Sequence, residues 1–404
     1  MELSREEEQI LKGEQGWVKA RALKLLITLG ELNQASKLVP IQRSQVAGVS
    51  YKTAGDATLE LIQNLAQENV SAQGIATQNP AGMDLTRWQE MGIQPDFASK
   101  QLQICNAYQQ LGIKSTCTCT PYLSGNCPLR NETVGFSESS AVAYVNSVIG
   151  ARTNRHGGLD ALSAALIGKV PLMGYLLDEN RQGTIQIDVK ATLTNNADYA
   201  ALGYHVGKLL SHQEVPIYNG LHSATKDQLK ILGAASAASG SVALYHVLGV
   251  TPEALDWHKK PSTQKRLEHH EINDGTLHSI FEELSSPTKI DLIAIGCPHA
   301  SLTEIRQIVT MLKGRKVKSD LDFWVFTSPQ IYTQAEKQGY SAIIRGAGAD
   351  IYQHTCMVVM PIEDLGFQSV AVNSAKAAFY IPRMTRGKCQ ASLRPLNSLK
   401  TFLK

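Results

Sequence analysis

Aromatic residues make up only 6% of the 404-residue sequence and charged ones 19%, and the two charge signs nearly cancel: 39 Lys and Arg against 36 Asp and Glu. A formal charge of +3 on a chain of this length gives no support to nucleic-acid binding. The densest basic stretch, His258-Lys259-Lys260 followed by Lys265-Arg266, reads as a solvated loop. No apolar run reaches the roughly 18 residues needed to cross a bilayer, and the start, Met1-Glu2-Leu3-Ser4-Arg5-Glu6, is acidic where a basic and apolar leader would stand. A soluble cytoplasmic protein is the expectation. A phosphate loop ending in Gly-Lys is also missing, and Arg345-Gly346-Ala347-Gly348-Ala349-Asp350 lacks the second half of a dinucleotide fingerprint, which argues against a Rossmann site.

What the sequence does contain is apolar: 43% of residues are hydrophobic, which supports a large core and excludes disorder and collagen-like repeats. The length fits two to three structural domains or one large multilayered unit. Seven cysteines, at 105, 117, 119, 127, 297, 356 and 389, form an odd set without an export signal. Free thiols or thiolate metal ligands are therefore expected in preference to a disulfide framework.

The capping pattern Ser4 to Glu7 opens a helix expected to run, with breaks, to about Leu38. Residues 41–49 then read as a strand leading through a turn into a helix over 57–62, and the same grammar recurs. Strands are predicted over 74–80, 185–190, 215–218, 290–296 and 322–327, with a β-prone run over 114–121. Strands alternating with helices argue for α/β layers and mostly parallel sheets. The small-residue run 233–240 has apolar flanks and reads as a tightly packed helix, whereas polar residues over 258–288 read as an exposed connection between domains.

Three cysteines lie at or near predicted strand ends, in Thr118-Cys119-Thr120-Pro121-Tyr122, Gly296-Cys297-Pro298-His299 and Thr355-Cys356-Met357. That is where α/β folds present ligands. Separations of 178 and 59 residues match neither zinc fingers nor ferredoxins, and a buried cysteine is equally at home as a small hydrophobe. If all three held an iron-sulfur cluster, one iron would stay open as a Lewis acid for a leaving hydroxyl, which is dehydratase chemistry. The segment from Ser137 to Gly158 brings hydroxyls, Asn146, Arg152 and Arg155 together, either to grip an anion or as a capping box with a glycine stop at Gly157. Lys376 stands in an uncharged stretch as a substrate clamp or a solvated residue, and His299 reads as a hydrogen-bonded structural histidine.

At these segments the sequence resembles the aconitase X family, a divergent branch of the aconitase superfamily. The blocks that carry the resemblance are Thr118 to Tyr122, Ser137 to Gly158, Gly240 to Ala254, Ile295 to Ser301 and Thr355 to Val359. The resemblance implies three α/β domains with mostly parallel sheets, divided near 1–157, 158–287 and 288–404, around a central 4Fe-4S cluster (2Fe-2S in one branch) held by Cys119, Cys297 and Cys356. It also implies a substrate pocket of Gly48, Val49, Ser50, Asn79, Pro80, Ser139, Ser140 and Lys376, with Arg152, Asn154 and Arg155 as further candidates.

Family members dehydrate either mevalonate 5-phosphate or cis-3-hydroxy-L-proline. The segments Asp178 to Arg181 and Gly249 to Ala254 resemble the former, archaeal type, whose reaction gives trans-anhydromevalonate 5-phosphate for isoprenoid synthesis. The superfamily carries its catalytic serine base on a small swivelling domain, so no catalytic base is expected in this chain and a separate small subunit is implied. Departures from the family pattern are Cys117, a rival ligand two residues before Cys119, the spare thiol Cys127, and His156 where an acid is expected. Outside enzymology, the remaining reading is a metal-binding α/β scaffold.

Overall fold

The computed structural model describes residues 1–211, 214–255, 267–285 and 289–404. Among the described residues, strands build three parallel sheets and one short antiparallel ribbon, Leu38–Pro40 with Lys169–Pro171. No helix among them is long and apolar enough to cross a membrane. The α/β class with mostly parallel sheets expected from the alternating pattern is what forms.

The first sheet has the order Ile75–Gln78, Arg43–Val46, Gly135–Phe136, all parallel. Its neighbouring helix Tyr51–Ala66 buries Leu59, Ile62 and Leu65, a spacing of three that makes one face, against Ile104, Ala107 and Tyr108 of the helix Pro95–Gln110. The opening helix breaks in two, Arg5–Leu11 and Trp17–Leu32, at positive-φ glycines Gly13 and Gly16. It ends at Leu32, short of Leu38, because Leu38 has become a ribbon strand.

The second sheet runs His246–Val247, Pro216–Asn219, Ile185–Val189, Glu268–Ile272. Helices Asn196–Leu209 and Lys226–Gly240 press against each other so closely that a Cβ on Gly240 would stand 1.8 Å from the Gly207 carbonyl oxygen. The small-residue run is thus a packed helix, as its apolar flanks imply. The expected connection over 258–288 is different: Glu268–Ile272 is the sheet's edge strand, exposed on one side and so polar, and Asp274–Glu283 is a helix. The basic cluster from His258 to Arg266 lies outside the described residues.

The third sheet orders five strands, Asp350–Gln353, Asp322–Thr327, Leu292–Ile295, Ser369–Val372, Gln390–Leu393. Both faces are covered, so Phe323, Trp324, Val325 and Phe326 are all buried in an unbroken apolar run. Residues 114–121 form no strand: beyond a single bridge from Lys114 to Thr77 the chain turns at Cys117, whose φ is +41°, and enters a short helical turn at Pro121.

Candidate active site

The carboxyl ends of the first and third sheets face one another, and the candidate residues gather in the crevice between them. This is where open α/β sheets bind ligands. Asn79 follows Ile75–Gln78, Glu138 follows Gly135–Phe136, Cys297 follows Leu292–Ile295, Cys356 follows Asp350–Gln353 and Lys376 follows Ser369–Val372. Together with Cys119 they line a cavity of about 210 Å³. Pro80, Val358, Val359, Tyr380 and Met384 complete it with apolar surface, and Ser139 adds a hydroxyl. The second sheet sends no residue to this wall; its two helices brace the helices Ser139–Tyr144 and Ala375–Met384 from behind.

Each cysteine is placed by its turn. Gly296 has φ +110°, and a Cβ there would stand 2.1 Å from the Phe326 carbonyl oxygen, so only glycine lets the chain leave the strand and present Cys297. Cys119 accepts a hydrogen bond from the His299 amide at 3.2 Å, and Cys356 accepts from the amides of Val358 and Val359. Cys119, Cys297 and Cys356 are 5, 5 and 6% exposed. Burial pushes all three thiols up to about 12; for Cys119 the charges of Glu138 and Cys356 add to it, and the Lys376 ammonium pulls all three back only in part. At neutral pH they are therefore protonated unless a cation replaces the protons.

Among the described residues no group of His, Cys, Asp or Glu closes round a single metal ion. Three soft sulfur donors set apart round one cavity, beside a buried ammonium that offsets thiolate charge, fit a polynuclear iron-sulfur group better than one small ion. The two other nearby thiols lie off this cavity. Cys117 points into the first domain's core, where its free thiol is hydrogen-bonded with that of Cys105 and donates to Gln78 Oε1 at 3.6 Å, and Cys127 is exposed at the surface.

Glu138 is the residue that sequence reasoning passed over, although it stands inside the quoted Ser137 to Ser140 segment. It forms a short ion pair with Lys376, accepts from Ser140 Oγ at 2.9 Å, and accepts on its other oxygen from Asn79 Nδ2 at 2.8 Å. Burial would push this carboxyl up, but the Lys376 charge and the bonds from Lys376, Asn79 and Ser140 outweigh it and hold the pKa at about 2. Burial would lower Lys376, yet Glu138 keeps it above the ordinary lysine range. Lys376 is thus neither solvated nor unpaired. The overlooked signal was an acid with no basic neighbour in a hydroxyl-rich, otherwise uncharged segment.

Other candidates fall beside the cavity or away from it. Val49 and Ser50 are buried behind the wall, where Ser50 Oγ donates to the Val359 carbonyl at 2.7 Å, and Gly48 forms the exposed positive-φ turn before them. Ser140 touches Lys376 at 3.4 Å from beneath. Arg152 pairs with Asp178 at 2.5 Å, Arg155 donates to the Ser241 carbonyl at 2.6 Å, and Asn154 bonds the backbone of Met173 and Tyr175. These three brace neighbouring loops and line no part of this cavity. Ser137 is no cap, since it accepts from the Ala47 amide and donates to the Gln45 carbonyl; Glu138 caps the helix and Gly150, at φ +76°, stops it in place of Gly157. His156 is buried and held down at about 4, so it brings no charge to Arg155.

Comparison with known proteins bears on this geometry. Family models named Aconitase X first, second and third domain match residues 1–179, 183–282 and 290–398. A phosphomevalonate dehydratase large subunit from Methanothermobacter thermautotrophicus is 47% identical over 95% of this chain and 94% of its own. One from Methanocaldococcus jannaschii is 46% identical over 96% and 97%. A cis-3-hydroxy-L-proline dehydratase from Pseudomonas aeruginosa is 32% identical over 93% of this chain but only 66% of its own. The crystal structure of Thermococcus kodakaraensis aconitase X in its holo-form superposes with a TM-score of 0.91 at 39% identity, covering 99% of both chains.

Proposed function

Because the chain belongs to the aconitase X family, we propose that it is the large subunit of a hydro-lyase that removes water from (R)-mevalonate 5-phosphate, giving trans-anhydromevalonate 5-phosphate for isoprenoid synthesis. The observation that carries this reading is near-full-length identity of 46 to 47% to large subunits of that activity, combined with a cavity whose wall holds three thiols and a paired lysine. The shorter and weaker match to the hydroxyproline enzyme gives that alternative less support.

Cys119, Cys297 and Cys356 would hold a 4Fe-4S cluster. Three thiolates on four irons leave one iron without a protein ligand, and when bound it supplies Lewis acidity to the leaving tertiary hydroxyl. The rest falls to this chain's side chains. Lys376 turns two of its three donors to Glu138 and Ser140 and keeps the third for a substrate anion. Asn79, which also donates to Glu138, and the Ser139 hydroxyl line the same cavity and would help orient that anion. Pro80, Val358, Val359, Tyr380 and Met384 take the substrate's methyl and methylene groups and exclude water, which strengthens each polar contact.

In the elimination, the proton next to the carboxylate passes to a base and its bonding pair forms the double bond; the C–O bond breaks with its pair on the oxygen, and the hydroxide so formed becomes water by taking up the proton that the base gives back. Glu138 is held ionised by Lys376 and is committed to that pair, so the proton goes to a base on a small subunit, on a swivelling domain that closes the cavity. The relatives' designation as large subunits implies such a partner.

The test is anaerobic co-expression with the candidate small subunit, iron reconstitution, and iron analysis of Cys119→Ser, Cys297→Ser and Cys356→Ser. Wild type holding about four irons per chain, with each variant losing the stable cluster and turnover, supports the reading. A wild type that binds no iron contradicts it.

A further inference from the structure

One imidazole ties together all three cysteine-bearing turns. His299 is two residues after Cys297 on the same turn. Its backbone amide donates to Cys119 Sγ at 3.2 Å. Its ring Nε2 lies 2.8 Å from the carbonyl oxygen of Thr355, the residue before Cys356. Its ring Nδ1 lies 2.9 Å from the hydroxyl of Thr118, the residue before Cys119. A carbonyl oxygen only accepts, so Nε2 carries the hydrogen, and Nδ1 must then accept from Thr118. The Thr118 hydroxyl accepts in turn from the Thr120 amide at 3.1 Å. Each bond has one direction, and no other tautomer satisfies both ring nitrogens.

The turn is braced from behind as well. The fully buried Lys230 donates to the His299 carbonyl at 3.2 Å and makes a short ion pair with Glu304, while the Glu304 carboxylate also accepts from the Ser301 amide at 2.9 Å. His299 itself is 0% exposed and lines no part of the cavity. Nothing it does can involve touching substrate.

We infer that His299 is a positioning residue that fixes the three cysteine turns, which are 178 and 59 residues apart in sequence, at the separation a cluster needs before the cluster arrives. The inference rests on the iron-sulfur reading of the cavity. Three turns from two domains have no reason to stay in register through cysteine side chains alone, because no disulfide joins Cys119, Cys297 and Cys356 to one another. The imidazole supplies the missing cross-link, with one bond to each of the two other turns through its ring and one through its backbone to a ligand sulfur. Outer-shell hydrogen bonds of this kind hold ligands in orientation and tune the group they bind.

The experiment uses the full chain co-expressed with its small subunit and reconstituted anaerobically. Thr118→Val deletes the hydroxyl bonded to Nδ1 with almost no change of shape, and Thr118→Ser restores it; His299→Gln removes the cross-link more fully. The readouts are the rate at which a ferrous chelator strips the cluster and the paramagnetic resonance spectrum of the reduced cluster, with the melting temperature of the iron-free chain as the folding control. Expected for Thr118→Val is cluster loss roughly 10-fold to 100-fold faster than wild type, a shifted spectrum and an iron-free melting temperature lowered by no more than a few degrees, with Thr118→Ser returning all three toward wild type. A Thr118→Val protein that keeps the wild-type spectrum and stripping rate overturns the inference while leaving the cluster reading intact. A wild type that takes up no iron overturns the cluster reading, and this inference with it.

Discussion

Lys376 and Glu138 close an ion pair across the two domains that make the cavity, one from the third sheet and one from the first, with side chains 9 and 12% exposed. The cation is therefore delivered with its own counterion. Glu138 and the Ser140 hydroxyl take two of the ammonium's three donors, which fixes the direction of the third.

Breaking that pair from one side leaves a buried charge alone. Lys376→Met and Glu138→Gln are each expected to destabilise the iron-free chain by about 3–5 kcal/mol, while the double variant loses much less than the sum. A denaturation double-mutant cycle reads the coupling directly. Additive effects would mean that the two groups are solvated and independent.

Cys117→Ser and Cys127→Ser are expected to keep the full iron content, since one thiol lies in the core against Cys105 and the other at the surface. Iron analysis of these two beside Cys119→Ser decides which of the closely spaced thiols is the ligand. Loss of iron from Cys117→Ser with retention in Cys119→Ser would reverse the assignment.

Arg152 and Arg155 brace loops outside the cavity. Alanine at either position is expected to change KM for the phosphorylated substrate by less than about 3-fold and stability by at most about 1 kcal/mol, the range of exposed ion pairs. A KM increase of tenfold or more would extend the binding site to this arm.

Acid should loosen the turn that carries Cys356. Asp84 accepts from the amides of Thr86, Arg87 and Gln353, and although burial opposes it, the His354 ring and these amides hold its pKa at about 2. The folded pKa lies below the unfolded one, so the stabilisation is present above about pH 4 and is lost as pH falls through about 2. Its size is about 2 kcal/mol. Asp84→Asn should be less stable than wild type at neutral pH and should lose that part of the acid dependence, as followed by urea denaturation between pH 2 and 6.

How much of this was legible in the sequence varies by residue. The strands over 290–296 and 322–327 formed from apolar runs that are buried on both faces, and the strand over 185–190 from a strict alternation that buries Ile185, Ile187 and Val189. The β-prone run over 114–121 failed because Cys117 takes a left-handed conformation that no propensity announces, and the polar stretch from Glu268 hid a strand because an edge strand needs little apolar surface. Cys119, Cys297, Cys356, Asn79, Pro80, Ser139 and Lys376 meet at one cavity. Spacing alone gave no hint of it, because sheet order, and not sequence order, brings strand ends together. Glu138 and His299 act through partners up to 238 residues away, so their work became visible only in three dimensions.

The central claim is the substrate, and one assay meets it head on. The reconstituted complex of this chain with its small subunit is incubated separately with (R)-mevalonate 5-phosphate and with cis-3-hydroxy-L-proline, and each product is followed by mass loss of water. Expected is dehydration of the phosphate at a kcat/KM at least a hundredfold above that of the hydroxy acid, the discrimination available when a site's buried polar groups are left unpaired by the wrong ligand (roughly 3 kcal/mol). An iron-loaded complex that ignores the phosphate and consumes hydroxyproline would contradict the account.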